Sequence, residues 1–253
     1  MIRSTVAVSL VLAALSGRAA PALQRFESVE PHMGTLVRVT VYARDDASAR
    51  RAFRAAFDRI GDLDGTLSDY RPDSELNGIT RIGVGRAVRV SHDLFAVLEA
   101  SQQLAEATDG AFDITQGAVI RLWREARQTG RLPEAASLRD AAARSGYRKL
   151  HLDSGRRTVM VDVAGLALDV GAIGKGYAAS EALDAIGDTG VRHALVAVSG
   201  DLAFSQAPPG QRGWRIGIHS EAPSLTRVPQ VLELSHAAVS TSGSSEQYLA
   251  VDG

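Results

Sequence analysis

Hydrophobic and polar positions divide the chain into a mostly helical first half and a mostly extended second half. Thr35-Leu-Val-Arg-Val-Thr-Val-Tyr42 alternates as a strand does, introduced by Met33-Gly34. Ala49, Ala52, Phe53, Ala56, Phe57, Ile60 and Leu63 keep helical spacing and predict a helix with one buried stripe. The following stretch, Leu67 to Gly78, is polar and turn-forming. Leu94, Val97, Leu98, Ser101, Ala105 and Thr108 predict a second amphipathic helix, stopped at Asp109-Gly110. Ala111-Phe-Asp-Ile-Thr115 leads into a third helix holding Leu122 and Trp123, and a fourth carries Leu138, Ala141 and Ala142.

Short strands are then predicted at Lys149–Leu152, Thr158–Val161 and Leu166–Val170. Gly171, Gly174 and Gly176 predict a tight turn after the last of these, before a helix with Ala179, Ala182, Leu183 and Ile186 on one face. That helix ends around Gly187 to Gly190. Ala194–Val198, Trp214–Ile218, Val231–Leu234, Ala238–Gly243 and Tyr248–Gly253 complete the extended part, with Pro208-Pro209-Gly210 and Pro223 in connections. No repeat, low-complexity tract or long linker interrupts this order. It predicts an α+β fold, a single domain of mixed and antiparallel sheets with packed helices over residues 23–253.

A strand delivering glycines to a helix N-terminus makes an anion site, because free amides and the helix dipole converge there. Lys175 adds a positive charge to that place and Asp169 a carboxylate, which points to a phosphate-bearing ligand. The segment is not a Walker A loop: Asp169 replaces its first glycine, and Gly176 follows the lysine. Gly174-x-Gly176-x-x-Ala179, with Asp201 further on, is closer to a dinucleotide fingerprint, although Gly171, Ala172 and Ile173 separate the strand from it. The other reading is that these glycines serve packing alone.

Composition narrows the picture. With 253 residues, 45% of them hydrophobic, the chain can bury one sizeable core. A net charge of -1 argues against a nucleic-acid or polyanion surface. The absence of cysteine excludes disulfides, cysteine-based zinc or redox centres, and a lipid-modified N-terminal cysteine. Arg3, the apolar run Val6 to Leu15, and Gly17-Arg-Ala19 or Ala20-Pro-Ala22 read as a signal peptide over residues 1–22; an uncut anchor is the alternative. Its removal takes away Arg3 and Arg18 and moves the formal charge from -1 to -3. Export to the periplasm is therefore expected, with membrane association only through an acceptor or an uncleaved anchor.

Several short motifs then agree with one family. Met33-Gly-Thr35, Ser68-Asp-Tyr70 with Ser74-Glu75, Gly110-Ala-Phe-Asp-Ile-Thr115 with Leu122-Trp123, and Leu168-Asp-Val-Gly-Ala-Ile-Gly-Lys-Gly-Tyr177 stand in the order of the FAD:protein FMN transferases (ApbE-type flavin transferases). Gly200-Asp201, Trp214–Ile218 and Thr241-Ser-Gly243 extend a resemblance that runs from Met33 to Gly253. It implies an enzyme that takes FAD as substrate, cleaves its pyrophosphate with Mg²⁺, and attaches FMN to a Thr or Ser of an acceptor flavoprotein, releasing AMP. By position, Met33, Tyr70, Ala111, Phe112 and Asp113 would contact the flavin nucleotide. Asp169 and Lys175 would flank it, and the backbone carbonyl of Ala172 would be a metal ligand. No catalytic residue is assigned.

The chemistry suits these residue types. Phosphoryl chemistry needs positioning and positive charge, Mg²⁺ prefers hard oxygens, and tyrosine can stack while its hydroxyl stays wet. Each residue also has a plainer reading: Tyr70 as a surface tyrosine, Met33 and Phe112 as core, and Asp113 as the cap of the helix starting near Thr115.

The sequence departs from the family at Ser199-Gly200, where a double glycine is usual, and after Gly243. Two later family motifs do not occur: a His-x-x-Asp-Pro segment ending in Thr-Gly, and an Asp and Thr four apart that complete the metal site. With Gly253 directly following a strand-turn signal, the expectation is a C-terminally incomplete sequence. His219 and His236 lack the motif's context and read as ordinary strand or loop histidines. Two other functions remain open: an exported FAD-binding module without transferase activity, and an NAD-dependent oxidoreductase using the glycine fingerprint.

Overall fold

The computed structural model describes residues 22–218 and 230–241. The expected signal segment up to Pro21, His219, Ser242-Gly243 and the strand from Tyr248 lie outside the described residues.

In chain order the elements are β1 (Gln24–His32), β2 (Thr35–Ala43), α1 (Asp46–Leu67), α2 (Glu75–Ile79), β3 (Val88–Arg89), α3 (His92–Ala107), α4 (Gly117–Thr129) and α5 (Ala135–Arg144). A 3₁₀ turn at Tyr147–Lys149 leads to β4 (Leu150–Asp153) and β5 (Thr158–Val161). Then follow α6 (Gly171–Asp188), β6 (His193–Val198), β7 (Asp201–Phe204), β8 (Trp214–Ile218), β9 (Gln230–Leu234) and β10 (Ala237–Ser240). This is the expected α+β architecture. Among the described residues every strand ladder is antiparallel: a five-stranded sheet β1-β2-β6-β7-β10, a three-stranded sheet β3-β5-β4, and the ribbon β8-β9.

Strand β1 is missing from the sequence reading because it is a charged edge strand. Its alternation is weak, and Pro31 is tolerated where no second neighbour needs the amide. It joins β2 through Met33-Gly34, both at positive φ (50° and 70°), the two-residue turn that right-twisted hairpins favour. Behind it, Val37, Val39 and Val41 of β2 pair with Val198, Val196 and Ala194 of β6 to form an apolar face. Ala49, Ala52, Ala56, Phe57 and Ile60 of α1 and Ala179, Ala182 and Ile186 of α6 cover that face. Small side chains on both helices let them lie close to the valine sheet, and this is the first core.

Helix α1, capped by the Asp45 side chain accepting from the Ser48 amide at 2.7 Å, is long enough to serve a second core as well. Its last turns put Leu63 and Leu67 against Leu76, Leu94, Leu98, Leu150, Val159 and Val161, and against Leu166, Leu168 and Val170. Asp93, at the start of α3, ties the same elements together by charge. Arg59 donates to both its carboxylate oxygens, at 2.6 and 2.7 Å, and also pairs with Glu181 of α6, while the Tyr177 hydroxyl donates to Asp93 Oδ1 at 2.8 Å.

The segment Leu166–Val170 corrects one expectation. It is not a strand: among the described residues it joins no ladder and makes a single parallel bridge, Ala167 to Gln116, while Leu166 through Val170 are all buried. Its backbone is satisfied elsewhere, by Gly117 N to Ala167 O at 3.1 Å and Asp169 N to Ile114 O at 2.8 Å. The tight turn after it is also absent. Helix α6 begins at Gly171, so Gly171, Gly174 and Gly176 occupy its first two turns and none has positive φ. Packing does not demand glycine at 174 either, since an added Cβ would meet Val170 at an ordinary contact distance of 3.5 Å. With the glycines helical and the neighbouring sheet antiparallel, the dinucleotide fingerprint is not formed, and Asp201 instead accepts from the Ser240 hydroxyl at 2.6 Å.

Close approach does require glycine at position 117, as it does at Gly213. A Cβ on Gly117 would lie 2.8 Å from the Ala167 carbonyl oxygen, a backbone atom that cannot swing aside. Gly117→Ala is expected to cost about 1–3 kcal/mol, as overpacking does. An unchanged urea midpoint would show that α4 can shift freely from the 166–170 segment.

Candidate functional site

The polar stretch after α1 is a built loop. Ser74 caps α2, accepting from the Asn77 amide at 3.1 Å. Glu75 accepts from the amide of Ser91 at 2.7 Å, and Ser91 in turn caps α3. The Asn77 side chain donates to the carbonyls of Ser68, Asp69 and Arg71 at 3.3, 3.0 and 2.8 Å. These contacts hold the loop so that Asp69 and Tyr70 are presented at a defined place.

Opposite them stands Arg124 of α4. One guanidinium nitrogen pairs with Asp69, the other donates to Asp169 Oδ2 at 2.6 Å, and the plane lies 4.6 Å from the centre of the Tyr70 ring. The Asp169 side chain is only 6% exposed. Its Oδ1 accepts from the Gly171 amide at 2.8 Å, so the carboxylate sits on the positive end of α6. Burial opposes the charge on Arg124. The Asp69 hydrogen bond and the Asp169 and Asp69 charges outweigh it and hold the guanidinium above its ordinary range.

The structure joins Asp169 and Tyr70 through Arg124 and carries Ala172 and Lys175 on the same helix. Ala172 is exposed as the second residue of α6. Lys175, one turn further on, is half-buried and makes no hydrogen bond or ion pair among the described residues. The 111–115 segment reaches the site through Ile114, whose carbonyl accepts the Asp169 amide. Ala111 is exposed, and Phe112 is half-buried against the second core. Met33 sits in the β1–β2 turn and packs on both cores, but no polar contact links it to Asp169.

Asp113 is turned inward. Its Oδ1 accepts from the Thr115 amide and hydroxyl at 2.8 and 2.6 Å; its Oδ2 accepts from the Tyr147 amide at 3.1 Å and the Gln116 side chain at 3.4 Å. It does not cap α4, whose first residue is Gly117 and whose N-cap is Gln116. It locks two loops instead. Asp113→Ala is expected to lower stability by about 2–3 kcal/mol, because it strands the Tyr147 amide and the buried Thr115 hydroxyl. A wild-type melting temperature would show that the carboxylate acts only on a ligand.

Sequence reasoning missed Arg124 and Asp69. Asp69 stood inside a quoted motif without a role, and Arg124 immediately follows Leu122-Trp123. Their link spans 55 residues of chain and the link to Asp169 spans 45, distances at which spacing carries no signal. His236 keeps its ordinary role in the turn between β9 and β10, its amide donating to the Ser205 carbonyl at 2.9 Å.

The antiparallel α+β fold thus carries a buried carboxylate at a helix N-terminus, clasped by arginine beside an exposed tyrosine, an arrangement distinct from the parallel dinucleotide folds. The model of the ApbE family matches residues 33–253, and the chain belongs to that family. It is 30% identical over 226 residues to a protein of Klebsiella pneumoniae named FAD:protein FMN transferase, covering 87% of this chain and 64% of that one. A protein of the same name from Treponema pallidum is 28% identical over 245 residues, covering 91% and 68%.

Among solved structures, the apo flavinyl transferase ApbE of Pseudomonas stutzeri superposes with a TM-score of 0.76 at 29% identity, covering 88% of this chain and 69% of that one. The ApbE protein of Thermotoga maritima gives 0.79 at 27% identity, covering 91% and 74%. The chain spans about two thirds of the length of the curated relatives it matches.

Proposed function

We propose that the protein to which this chain belongs is an FAD:protein FMN transferase. It takes FAD as substrate, cleaves the pyrophosphate with Mg²⁺, and attaches FMN to a Thr or Ser hydroxyl of an acceptor flavoprotein, with AMP as the other product. The observation that carries the reading is the Asp169 carboxylate, held on the α6 N-terminus by Gly171 and Arg124 beside the exposed Tyr70, in a chain of the ApbE family. Relatives bearing the transferase name support it.

In this reading Tyr70, Met33, Ala111 and Phe112 receive the flavin nucleotide, as the family motifs imply. Lys175 offers a cation to phosphate oxygens. Asp113 contributes by holding its loop in shape. Signal-directed export places the enzyme in the periplasm, as the first 22 residues suggest.

Mg²⁺ is part of the proposal on the strength of the resemblance. The described residues do not by themselves compose its site: Ala172 offers one exposed carbonyl, both Asp169 oxygens are engaged, and no three His, Asp or Glu side chains converge among the described residues. The chain's own part is to bind, orient and balance charge.

The test is incubation of the full-length protein with FAD, Mg²⁺ and an acceptor flavoprotein, followed by in-gel flavin fluorescence after denaturation. Covalent, Mg²⁺-dependent fluorescence and released AMP are expected, both reduced in Asp169→Ala and Lys175→Ala. FAD binding without a covalent product would favour a binding module.

A further inference from the structure

We infer that Arg124 is a positioning residue of the nucleotide site, holding Tyr70 as a stacking platform while it fixes the Asp169 carboxylate. The inference rests on the proposed FAD site and adds to it a residue that its motifs leave without a role.

The geometry uses the whole guanidinium. Its two terminal nitrogens serve carboxylates from different parts of the chain, Asp69 before α2 and Asp169 before α6. Its Cζ also lies over the Tyr70 ring, 4.6 Å from the ring centre. Tyr70 is nevertheless 71% exposed, so the ring face away from Arg124 is open. An unbacked tyrosine on a surface loop would move among rotamers. Here the cation holds one face and leaves the other for a planar fused ring such as a flavin, to which aromatic side chains stack well.

Asp69 and Asp169 in turn fix the guanidinium, so the ring and the carboxylate at the α6 N-terminus are set relative to each other by one side chain. Lysine keeps the charge but has neither the fork nor the plane to make all three contacts at once.

The experiment compares full-length wild type, Arg124→Lys, Arg124→Ala, Tyr70→Ala and the double variant Arg124→Ala/Tyr70→Ala. FAD is titrated while the visible flavin band is recorded, and thermal midpoints are measured alongside. Arg124→Lys is expected to keep the wild-type midpoint within a few degrees, to bind FAD about 10-fold more weakly, and to lose the band shift that stacking produces. In the Tyr70→Ala background, Arg124→Ala is expected to cost clearly less FAD affinity than it does alone, because it acts in part through the ring.

Wild-type affinity and spectrum in Arg124→Lys would overturn the inference, as would full additivity in the double variant. If neither Arg124 variant keeps a wild-type midpoint, the residue is a structural brace and the inference falls. Wild-type protein that does not bind FAD would refute the proposed function itself, a result distinct from any behaviour of the variants.

Discussion

Asp169→Ala in the full-length protein is expected to weaken FAD binding by about 30- to 100-fold, the equivalent of about 2–3 kcal/mol for hydrogen bonds to a charged group. Two local losses support a large effect. The Gly171 amide at the head of α6 loses its acceptor, and Arg124 loses one of its two carboxylates while remaining mostly buried. A guanidinium freed on one side would be drawn toward Asp69 or toward ligand phosphate, and Tyr70 would move with it.

Asp169→Asn separates these contributions. It preserves an acceptor for the Gly171 amide and the approximate shape, but gives up the charge facing Arg124. Its affinity is expected to fall between those of Asp169→Ala and wild type. Calorimetric titration with FAD decides the matter: an Asp169→Ala protein with wild-type affinity would remove this carboxylate from the site.

The second large effect is on stability. Arg59→Met is expected to destabilise the fold by about 2–3 kcal/mol, below the usual range for breaking a buried pair because these side chains retain some solvent contact. Arg59 is the only residue of α1 shown bonding to both Asp93 of α3 and Glu181 of α6. Without it, two partly buried carboxylates share a space with the Tyr177 hydroxyl, and among the described ion pairs Asp93 keeps only its 3.9 Å contact with the exposed His92, which is charged only when protonated.

The Arg59 hydrogen bonds, opposed by burial and helped by Tyr177 and the Arg59 charge, hold Asp93 below the ordinary carboxylate range. A depressed folded-state pKa stabilises the protein above the unfolded value and loses that stabilisation as pH falls through the folded one. The Arg59 contribution is therefore expected in full above about pH 4 and to fade in stronger acid. Urea midpoints of wild type and Arg59→Met, measured from pH 7 to pH 3, should converge toward the acid end. Parallel curves would show that the arginine acts by packing alone. Adding Asp93→Asn to Arg59→Met should recover part of the lost stability, since it removes one of the stranded charges.

Much of the fold could be read along the chain, and the errors follow a pattern. Helices α1, α3 and α4 were legible because each keeps an apolar stripe or a clear stop, such as Asp109-Gly110, which takes positive φ at both residues. Strand β6 was legible as the apolar run Ala194–Val198, and in the structure its burial alternates at every position. Strand β1 was not, since an edge strand can be charged and still pair. The 166–170 segment was misread because consecutive buried residues look like a strand when the neighbours that cover them are unknown. Gly171, Gly174 and Gly176 read as a turn because glycine permits one, whereas the Asp169 side chain starts a helix there by accepting the Gly171 amide.

The candidate site divides in the same way. Asp169, Tyr70 and Lys175 stand out in the sequence because they lie in short motifs, and the structure joins the first two through Arg124. Asp113 was found as well, but its carboxylate serves loop closure, a role that appears only once Thr115 and Tyr147 are beside it. By itself the sequence determined the α+β class, the order of most elements and the family motifs, since periodicity and local spacing are properties of neighbouring residues. Tertiary structure decided the antiparallel sheet order, the helical state of the glycines, and the clasp of Arg124 on Asp69, Asp169 and Tyr70. These depend on which distant segments bury the same surface and which opposite charges are left to meet there, and no spacing along the chain records that.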